Sequence, residues 1–359
     1  MNKLLHTSSS PHVRDQTDTT RIMIDVIIAL MPATLYGIYQ FKLNAALIVV
    51  VSVLTCVLSE YLFEYFMKKP ITIKDCSAIV TGLILALNLP STVPLWIPVI
   101  GALFAIIIVK QLYGGLGQNF MNPALAARCF LLISFTGRMT NFVFDGVTTA
   151  TPLAILETRS HYDLFRLFIG TTAGTIGETS TLMILIGGAY MLVKRVIKPT
   201  IPVAYLLSFS LFTLIFSPFR FDFYYLACQL CGGGLMLGCF FMATDYVTTP
   251  INFEGQIVFG ILIGILTGLF RFFGTTTEGV SYAIILGNLV VPLIEKYTLL
   301  YKTKKAVVSW ILRESSRIHA SYSSLLLHLD VSLVLFIILQ KIKYPQNRKK
   351  QSFLPISRL

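Results

Sequence analysis

Ten apolar runs, most of them close to the length that a membrane-spanning helix needs, dominate the 359-residue sequence. A helix crosses the hydrocarbon core of a bilayer with about 20 residues. The runs lie near residues 22–40, 43–66, 76–89, 95–113, 123–135, 180–194, 201–217, 224–243, 256–272 and 279–295. Because 55% of the residues are hydrophobic and 13% are charged, with a mean hydropathy of +0.74, we predict an all-α polytopic membrane protein.

Basic residues cluster in the gaps that follow the second, sixth and tenth runs, so the net charge of +12 indicates orientation in a membrane and not nucleic-acid binding. With ten spans, all three gaps share one side with the N-terminus, and the positive-inside bias assigns that side to the cytoplasm. Residues 1–21 are polar, show no cleavable signal and are predicted to be a cytoplasmic tail. The segment 136–179 is then extracytoplasmic.

This loop separates two halves, residues 22–135 and 180–300, each with five predicted spans. An odd number of spans per half favours an inverted repeat. Pro90, Pro94, Pro98 and Pro123 predict broken or re-entrant helices in the first half. Residues 301–359 form a basic C-terminal extension. If its apolar stretch, 324–340, crossed the membrane, the basic tail that follows would lie on the extracytoplasmic side, against the positive-inside bias. We therefore favour a helix at the membrane interface, or a segment outside the core of ten spans.

Six cysteines lie in or beside apolar runs and indicate no disulfide framework. Cys228 and Cys231 form a C-x-x-C pair, which would bind a metal or an iron–sulfur cluster only with two further ligands. The simpler interpretation is that both are small apolar residues of a buried helix. We therefore predict no metal site within this chain.

Polar residues near the ends of the spans form four groups, and polar groups at membrane depth need an explanation. Helix capping is one explanation, with Asn122 before Pro123 and Thr179 or Ser180 before the sixth span. Taken together, the groups predict the wall of a shared cavity, to which an ion path would add Asp25, Glu60 and Glu64. The groups are Gln118, Asn119, Asn122 and Arg128; Gly177, Glu178, Thr179 and Ser180; Thr244 and Asp245; and Glu278 and Asn288.

The loop from Asp145 to Leu153 is rich in hydroxyl groups but has no neighbouring His or Cys to activate one of them. We therefore expect it to receive a chemical group and not to attack a substrate. Without reference to any protein family, Thr151 followed by Pro152 also predicts the N-cap of a short helix.

Asp-Gly-Val-Thr-Thr-Ala-Thr, from Asp145 to Thr151, resembles the flavinylation motif in the D-type membrane subunit of Rnf electron-transport complexes. It is also similar to the B-type subunit of the Na⁺-translocating NADH:quinone oxidoreductase. Further signatures of these subunits match in the same order, and the likeness covers about residues 15–300. The matching segments are 117–124 (GQNFMNPA), 177–180 (GETS) and 242–250 (MATDYVTTP).

The resemblance implies that FMN is attached through its phosphate to Thr151 by a separate flavin transferase. The other motif positions are Asp145, Gly146, Thr148 and Ala150. It also implies a non-covalent riboflavin, for which Gln118, Asn119 and Asn122 offer amide groups. The expected setting is a bacterial cytoplasmic (inner) membrane, where other Rnf subunits bind ferredoxin and NAD and this chain helps to move Na⁺ or H⁺.

A different class of protein accounts for part of the pattern. A channel or transporter similar to urea transporters would have two inverted five-span halves and a polar site between them. It would carry no flavin, and Thr151 would be dispensable. No dinucleotide site is expected at Gly114–Gly117, because the strand-turn-helix context is missing.

Overall fold

A computed structural model describes residues 19–144, 147–148, 152–157, 163–217, 221–274 and 279–299. The chain divides into two units, Met1–Leu299 and Leu300–Leu359, and the second lies outside the described residues. Outside them as well lie most of the cytoplasmic tail, Glu278, and the motif positions Asp145, Gly146, Ala150 and Thr151. Predictions made for these residues keep their status as predictions.

The first half is a set of apolar helices, two of which depart from regular α-helical geometry. Helix α1 is broken at Lys42, whose φ of 59° and ψ of −141° divide it into arms of residues 19–41 and 43–66. The last turns of the third helix are π-helical, over Phe104–Gln111. The helices are α1 (Thr19–Phe66), α2 (Ser77–Leu87), α3 (Trp96–Leu103, continued by the π-helix), α4 (Pro123–Ser134) and α5 (Thr136–Met139).

Short elements connect the two halves. Strands β1 (Val143–Phe144) and β2 (Val147–Thr148) pair antiparallel, with Phe144 opposite Val147. Only Asp145 and Gly146 separate the strands, and Asp-Gly is a preferred dipeptide for two-residue hairpin loops. Helix α6 (Pro152–Glu157) then begins directly after Thr151, and α7 (Leu164–Ile169) follows.

The second half repeats the pattern of apolar helices with one break. Helices α10 (Phe223–Cys231) and α11 (Leu235–Leu237, continued as a π-helix over Gly238–Met242) meet at an angle of 64° and together fill one predicted span. The remaining helices are α8 (Thr181–Val193), α9 (Thr200–Phe216), α12 (Phe253–Phe273) and α13 (Val280–Leu299).

The predicted class, an all-α polytopic membrane protein, is confirmed. Three of the described helices, α1, α12 and α13, are long and apolar enough to cross a membrane, and the bent pair α10–α11 makes a fourth if it counts as one span. Five shorter apolar helices occupy the other predicted runs, and the two arms of α1 fill the first two. The inverted relation between the halves stays a prediction.

Helices α9 and α12 pack closely because glycine residues line their contact. Gly260, Gly264 and Gly268 follow each other at four-residue spacing along α12 and face α9. A Cβ at Gly264 would lie 2.8 Å from the carbonyl oxygen of Tyr205. Small residues at this spacing let helix backbones approach closely within a bilayer. The hydroxyl groups of Tyr205 and Thr267, 2.8 Å apart, add a buried hydrogen bond between the same helices.

Candidate functional site

A buried ion pair joins the first half to the end of the loop that separates the halves. Arg128, in α4, donates to Glu178 Oε1 at 3.0 Å and to Asn88 Oδ1 at 2.7 Å. Backbone hydrogen bonds from Ile176 N to Leu89 O (3.0 Å) and from Gly177 N to Leu87 O (2.8 Å) bring the segment before α8 against the end of α2. Arg128 and Glu178, predicted in two separate polar groups, therefore belong to one cluster, which combines the first half with the end of the connecting loop.

Glu178 and Thr179 also line a small cavity, which we call the loop cavity and which measures about 350 Å³ when its open mouth is included. Pro152 and Leu153, the residues that follow Thr151, form part of its wall, and Gly232 and Gly233 form another part. The first turn after the predicted attachment residue thus lies beside a polar cluster and the broken span.

The break between α10 and α11 is held by Arg271 of α12. Its Nη1 donates to the carbonyl oxygen of Gln229 at 2.6 Å, and its Nη2 donates to those of Gly232 and Gly233 at 2.9 and 3.1 Å. Gly233 and Gly234 have φ values of 64° and 65°, which favour glycine. A cation at the C-terminal end of a half-helix satisfies carbonyl groups that the break leaves without helical partners.

A larger cavity, which we call the central cavity, lies between the halves and has a volume of about 740 Å³ when its open mouth is included. Asn119 and Asn122 line it, as predicted for a ligand site, whereas Gln118 is exposed and is absent from its wall. Gln118 therefore lies outside the cavity wall, and its role in binding a flavin stays a prediction. The polar residues of the wall are Ser77, Thr81, Lys110, Asn119, Asn122, Thr244 and Asp245.

The polar groups expected to share one cavity are therefore divided. Asn119, Asn122, Thr244 and Asp245 face the central cavity, while Glu178 and Thr179 face the loop cavity. Asn288 belongs with the first set: in the amide orientation that satisfies both its groups, it accepts from Asn122 N and donates to Thr248 O, each at 3.2 Å. The single-cavity prediction was wrong because sequence order does not show on which end of a span each polar residue lies.

Two capping predictions are confirmed. Asn122 Oδ1 accepts from the N–H groups of Ala124 (3.1 Å) and Leu125 (3.3 Å) at the start of α4. Ser180 Oγ accepts from Met183 N at 3.4 Å at the start of α8. Capping uses only the oxygen of Asn122. Its amide nitrogen has no hydrogen-bond partner among the described residues and remains available to a ligand in the central cavity.

Asp245 lies in the loop between the π-helical turn and α12 and lines the central cavity. Thr248 Oγ1 donates to it at 3.2 Å and Val247 N at 3.5 Å. Burial raises the pKa of the Asp245 carboxyl group above its ordinary value, and the two hydrogen bonds offset part of that effect. Carboxyl groups in cavity walls whose pKa is raised by desolvation are common in functional sites.

Lys110 and Arg271 are buried basic residues that the sequence interpretation missed. The available signal was a single basic residue inside an otherwise apolar run, which is expensive in a membrane and usually has a partner. Lys110 Nζ donates to Glu60 Oε1 at 2.7 Å and to Ser77 Oγ at 2.6 Å. Glu60 and Glu64 are both buried, as an ion path would require, whereas Asp25 instead accepts from Tyr190 Oη at 2.8 Å.

Cys228 is buried and Cys231 is half-buried in α10. Across the described ranges, no group of three or more His, Cys, Asp or Glu side chains is arranged to hold a metal ion. Partner-supplied ligands would be needed for a cluster at this C-x-x-C pair.

The fold and these sites define a class: a polytopic membrane protein with buried ion pairs and with two cavities partly lined by polar side chains, one of them between its halves. Comparison with known families gives a more specific assignment. Residues 6–304 match the model of the NQR2, RnfD, RnfE family, and the chain belongs to that family.

The chain is similar to three relatives that are named as D-type subunits of ion-translocating oxidoreductase complexes. It is 47% identical to that of the Na⁺-translocating ferredoxin:NAD⁺ oxidoreductase complex of Acetobacterium woodii, over 83% of this chain and 95% of the relative. It is 40% identical to that of the proton-translocating ferredoxin:NAD⁺ oxidoreductase complex of Clostridium ljungdahlii, over 81% and 93%. It is 34% identical to that of the ion-translocating oxidoreductase complex of Escherichia fergusonii, over 81% and 96%.

Proposed function

We propose that this chain is the flavin-carrying membrane subunit of an ion-translocating ferredoxin:NAD oxidoreductase complex. Near-complete coverage of the relatives named as D-type subunits of such complexes is the observation that carries the proposal. The urea-transporter-like alternative gains no support from these relatives. Because one is named for Na⁺ and another for protons, the coupling ion is left open.

Within this proposal, FMN is held at Thr151 by a phosphoester bond. The motif Asp145–Thr151 supports the assignment, and so does the position of the next residue, Pro152, at the start of α6 and in the wall of the loop cavity. Thr148, the other threonine of the described part of the motif, belongs to the paired strand β2. Bound flavin would supply one- and two-electron redox chemistry, while the protein supplies position and electrostatics.

Riboflavin is proposed as the occupant of the central cavity. The cavity lies between the halves and both contribute to its wall, a position in which small-molecule sites of helical bundles occur. The side chains of Asn119 and Asn122 provide amide groups suited to ring edges and ribityl hydroxyls. Lys110 and Asp245 place one positive and one negative group in the same wall.

Attachment is tested by co-expressing the chain with a flavin transferase and recording flavin fluorescence in a denaturing gel. We expect fluorescence in the wild type and in Thr148→Val and Thr149→Val, and none in Thr151→Val. Fluorescence that survives Thr151→Val, or a wild type that never fluoresces, would overturn the assignment.

Riboflavin binding is tested separately, by acid extraction of the folded subunit and chromatography of the released flavin. Asn122→Ser is the informative variant, because serine keeps the capping oxygen of α4 but removes the amide nitrogen. We expect it to lower the yield of riboflavin while the subunit stays folded. An unchanged yield in both Asn122→Ser and Asn119→Ala would exclude the site.

A further inference from the structure

Two neighbouring side chains hold the Lys110 ammonium group in the wall of the central cavity. Its Nζ donates to Glu60 Oε1 at 2.7 Å and to Ser77 Oγ at 2.6 Å. Ser77 lines the same cavity, and its hydroxyl group donates in turn to Asp75 Oδ1 at 2.6 Å, which leaves its oxygen to accept from Lys110. The ammonium group therefore has a fixed position beside the cavity.

The π-helical segment Phe104–Gln111 places this cation. Lys110 and Gln111 are consecutive residues, yet both are at most 2% exposed and both donate to Glu60 Oε1, at 2.7 and 2.8 Å. π-helical turns occur frequently at functional sites. The first half thus brings a basic residue to the cavity from a helix that is otherwise apolar there.

The ion pair and the Ser77 contact use two of the three donors of Lys110. An ammonium group has three N–H bonds and no acceptor. The third N–H has no hydrogen-bond partner among the described residues, although the side chain is only 3% exposed. Leaving a buried donor of a charged group without an acceptor is costly. An occupant of the central cavity with an acceptor atom would satisfy this donor.

The charges of the wall favour a particular kind of acceptor. Among the wall residues that the structure describes, Lys110 is basic and Asp245 is acidic, and Asn119 and Asn122 are neutral. A neutral amide binds an acceptor with similar strength whether or not the acceptor is ionised. A cation binds an ionised acceptor more strongly. Lys110 is therefore the residue of this wall that distinguishes two charge states of one ligand.

We propose that Lys110 donates its third N–H to the pyrimidine edge of the riboflavin in the central cavity, and that it binds the reduced flavin more tightly than the oxidised flavin. The inference rests on the proposed function, which supplies both the flavin and its electrons. In this arrangement Lys110 is a cofactor-binding residue, while Glu60 and Ser77 are positioning residues that act through it.

The preference for the reduced state follows from the balance of charge. Uptake of two electrons, with one proton bound at N5, leaves one negative charge on the flavin, which is shared by N1 and the C2 oxygen. The same C2 oxygen is a neutral acceptor before reduction. No bond of Lys110 breaks, and its charge raises the reduction potential by stabilising the product.

The test is a redox titration of riboflavin bound to the full-length, detergent-solubilised subunit, followed by its absorption spectrum. Expression in a host without a flavin transferase keeps covalent FMN out of the measurement. The informative variant is Lys110→Met/Glu60→Gln. It removes both charges of the pair, so that no unpaired carboxylate of this pair remains to unfold the protein.

We expect the double variant to lose a factor of about 10 to 100 in its preference for reduced over oxidised riboflavin, the scale of a charge-assisted hydrogen bond. For a two-electron couple, that factor lowers the midpoint potential by about 30 to 60 mV. The affinity for oxidised riboflavin should fall less, because the C2 oxygen carries no charge in that state.

Two single variants serve as controls. Glu60→Gln keeps the Lys110 donor and should not lower the potential. Lys74→Met removes an exposed positive charge from the loop before Ser77, where solvent screens it, and should leave the potential at the wild-type value.

Each outcome decides between the alternatives. A double variant with the wild-type potential would overturn the inference, and so would an equal fall in Glu60→Gln, since the effect would then belong to the ion pair and not to the Lys110 donor. Both results leave riboflavin in the cavity and the proposed function intact. A wild-type subunit that binds no riboflavin would instead contradict the proposed occupant, and the inference with it.

Discussion

Arg128 and Glu178, fifty positions apart in the sequence, form a buried ion pair of 3.0 Å that ties α4 of the first half to the segment leading into α8 of the second. Both side chains are at most 5% exposed. Because Arg128 also donates to Asn88 at the end of α2, one guanidinium group holds together three parts of the chain. The geometry of the loop cavity therefore depends on this pair.

Glu178→Ala is expected to lower stability strongly, because it removes the carboxylate that lies 3.0 Å from the buried Arg128 guanidinium. Breaking a buried pair by removing one partner costs about 3–5 kcal/mol. The double variant Arg128→Met/Glu178→Leu should recover much of that loss, since it removes both charges of this pair. Thermal unfolding of the detergent-solubilised subunit measures both, and equal stability of the single and double variants would contradict the argument.

The close contact of α9 and α12 predicts a second loss of stability. Gly264→Ala would place a Cβ 2.8 Å from Tyr205 O and 3.0 Å from Phe209 N, so the two helices must separate. Overpacking of this kind costs roughly 1–3 kcal/mol. Gly137→Ala is the control, because no atom of the described residues lies within 4 Å of a Cβ at that position. Unfolding curves of the two variants that coincide would show that the helices adjust freely.

The sequence was sufficient for the helices and insufficient for their contacts. Length, hydropathy and the positions of proline located the apolar helices, because a bilayer requires apolar helices of a defined length. Capping by Asn122 and Ser180 was predictable for a local reason, since a cap involves only residues two or three positions away. The break at Lys42 falls in the predicted gap between the runs 22–40 and 43–66, whereas the two π-helical segments had no such local signal.

The sites were harder to predict, since their members come from distant positions. Nothing in the neighbourhood of Lys110 shows that Glu60, fifty residues earlier, accepts its hydrogen bond. Gln118 and Asn119 are adjacent, yet only Asn119 faces the central cavity. The flavin motif is a separate case, because its meaning came from resemblance and its key residue, Thr151, lies outside the described part of the chain.

Arg271 is predicted to maintain the break between α10 and α11. Arg271→Ala removes charge-assisted hydrogen bonds to Gln229, Gly232 and Gly233, each of a kind worth about 1.5–3 kcal/mol. We expect a large drop in thermal stability, with Arg271→Lys intermediate because it keeps the charge but loses the fork. Arg166→Ala is the control: its contact with Asp163 is 3.7 Å long and exposed, and its loss should have little effect.

The Asp245 carboxyl group predicts how stability depends on pH. Its pKa is raised in the folded protein by burial, so folding favours the protonated form. Below the ordinary aspartate pKa of about 4, the group is protonated in both states and has no effect on stability. As the pH rises above that value, ionisation increasingly disfavours the folded state, until the pH exceeds the raised pKa and the cost becomes constant.

Asp245→Asn removes this cost, so the variant should be more stable than the wild type at neutral pH and equally stable near pH ~3 to 4. The measurement is the melting temperature of the solubilised subunit across that pH range, with Asp163→Asn as an exposed control that should show no comparable gain. A variant that is less stable at neutral pH would mean that the Asp245 carboxylate is held by favourable interactions in the folded state. Because a carboxyl group with a raised pKa in a cavity wall is a candidate for binding a ligand or an ion, we expect the gain in stability to accompany a loss of function.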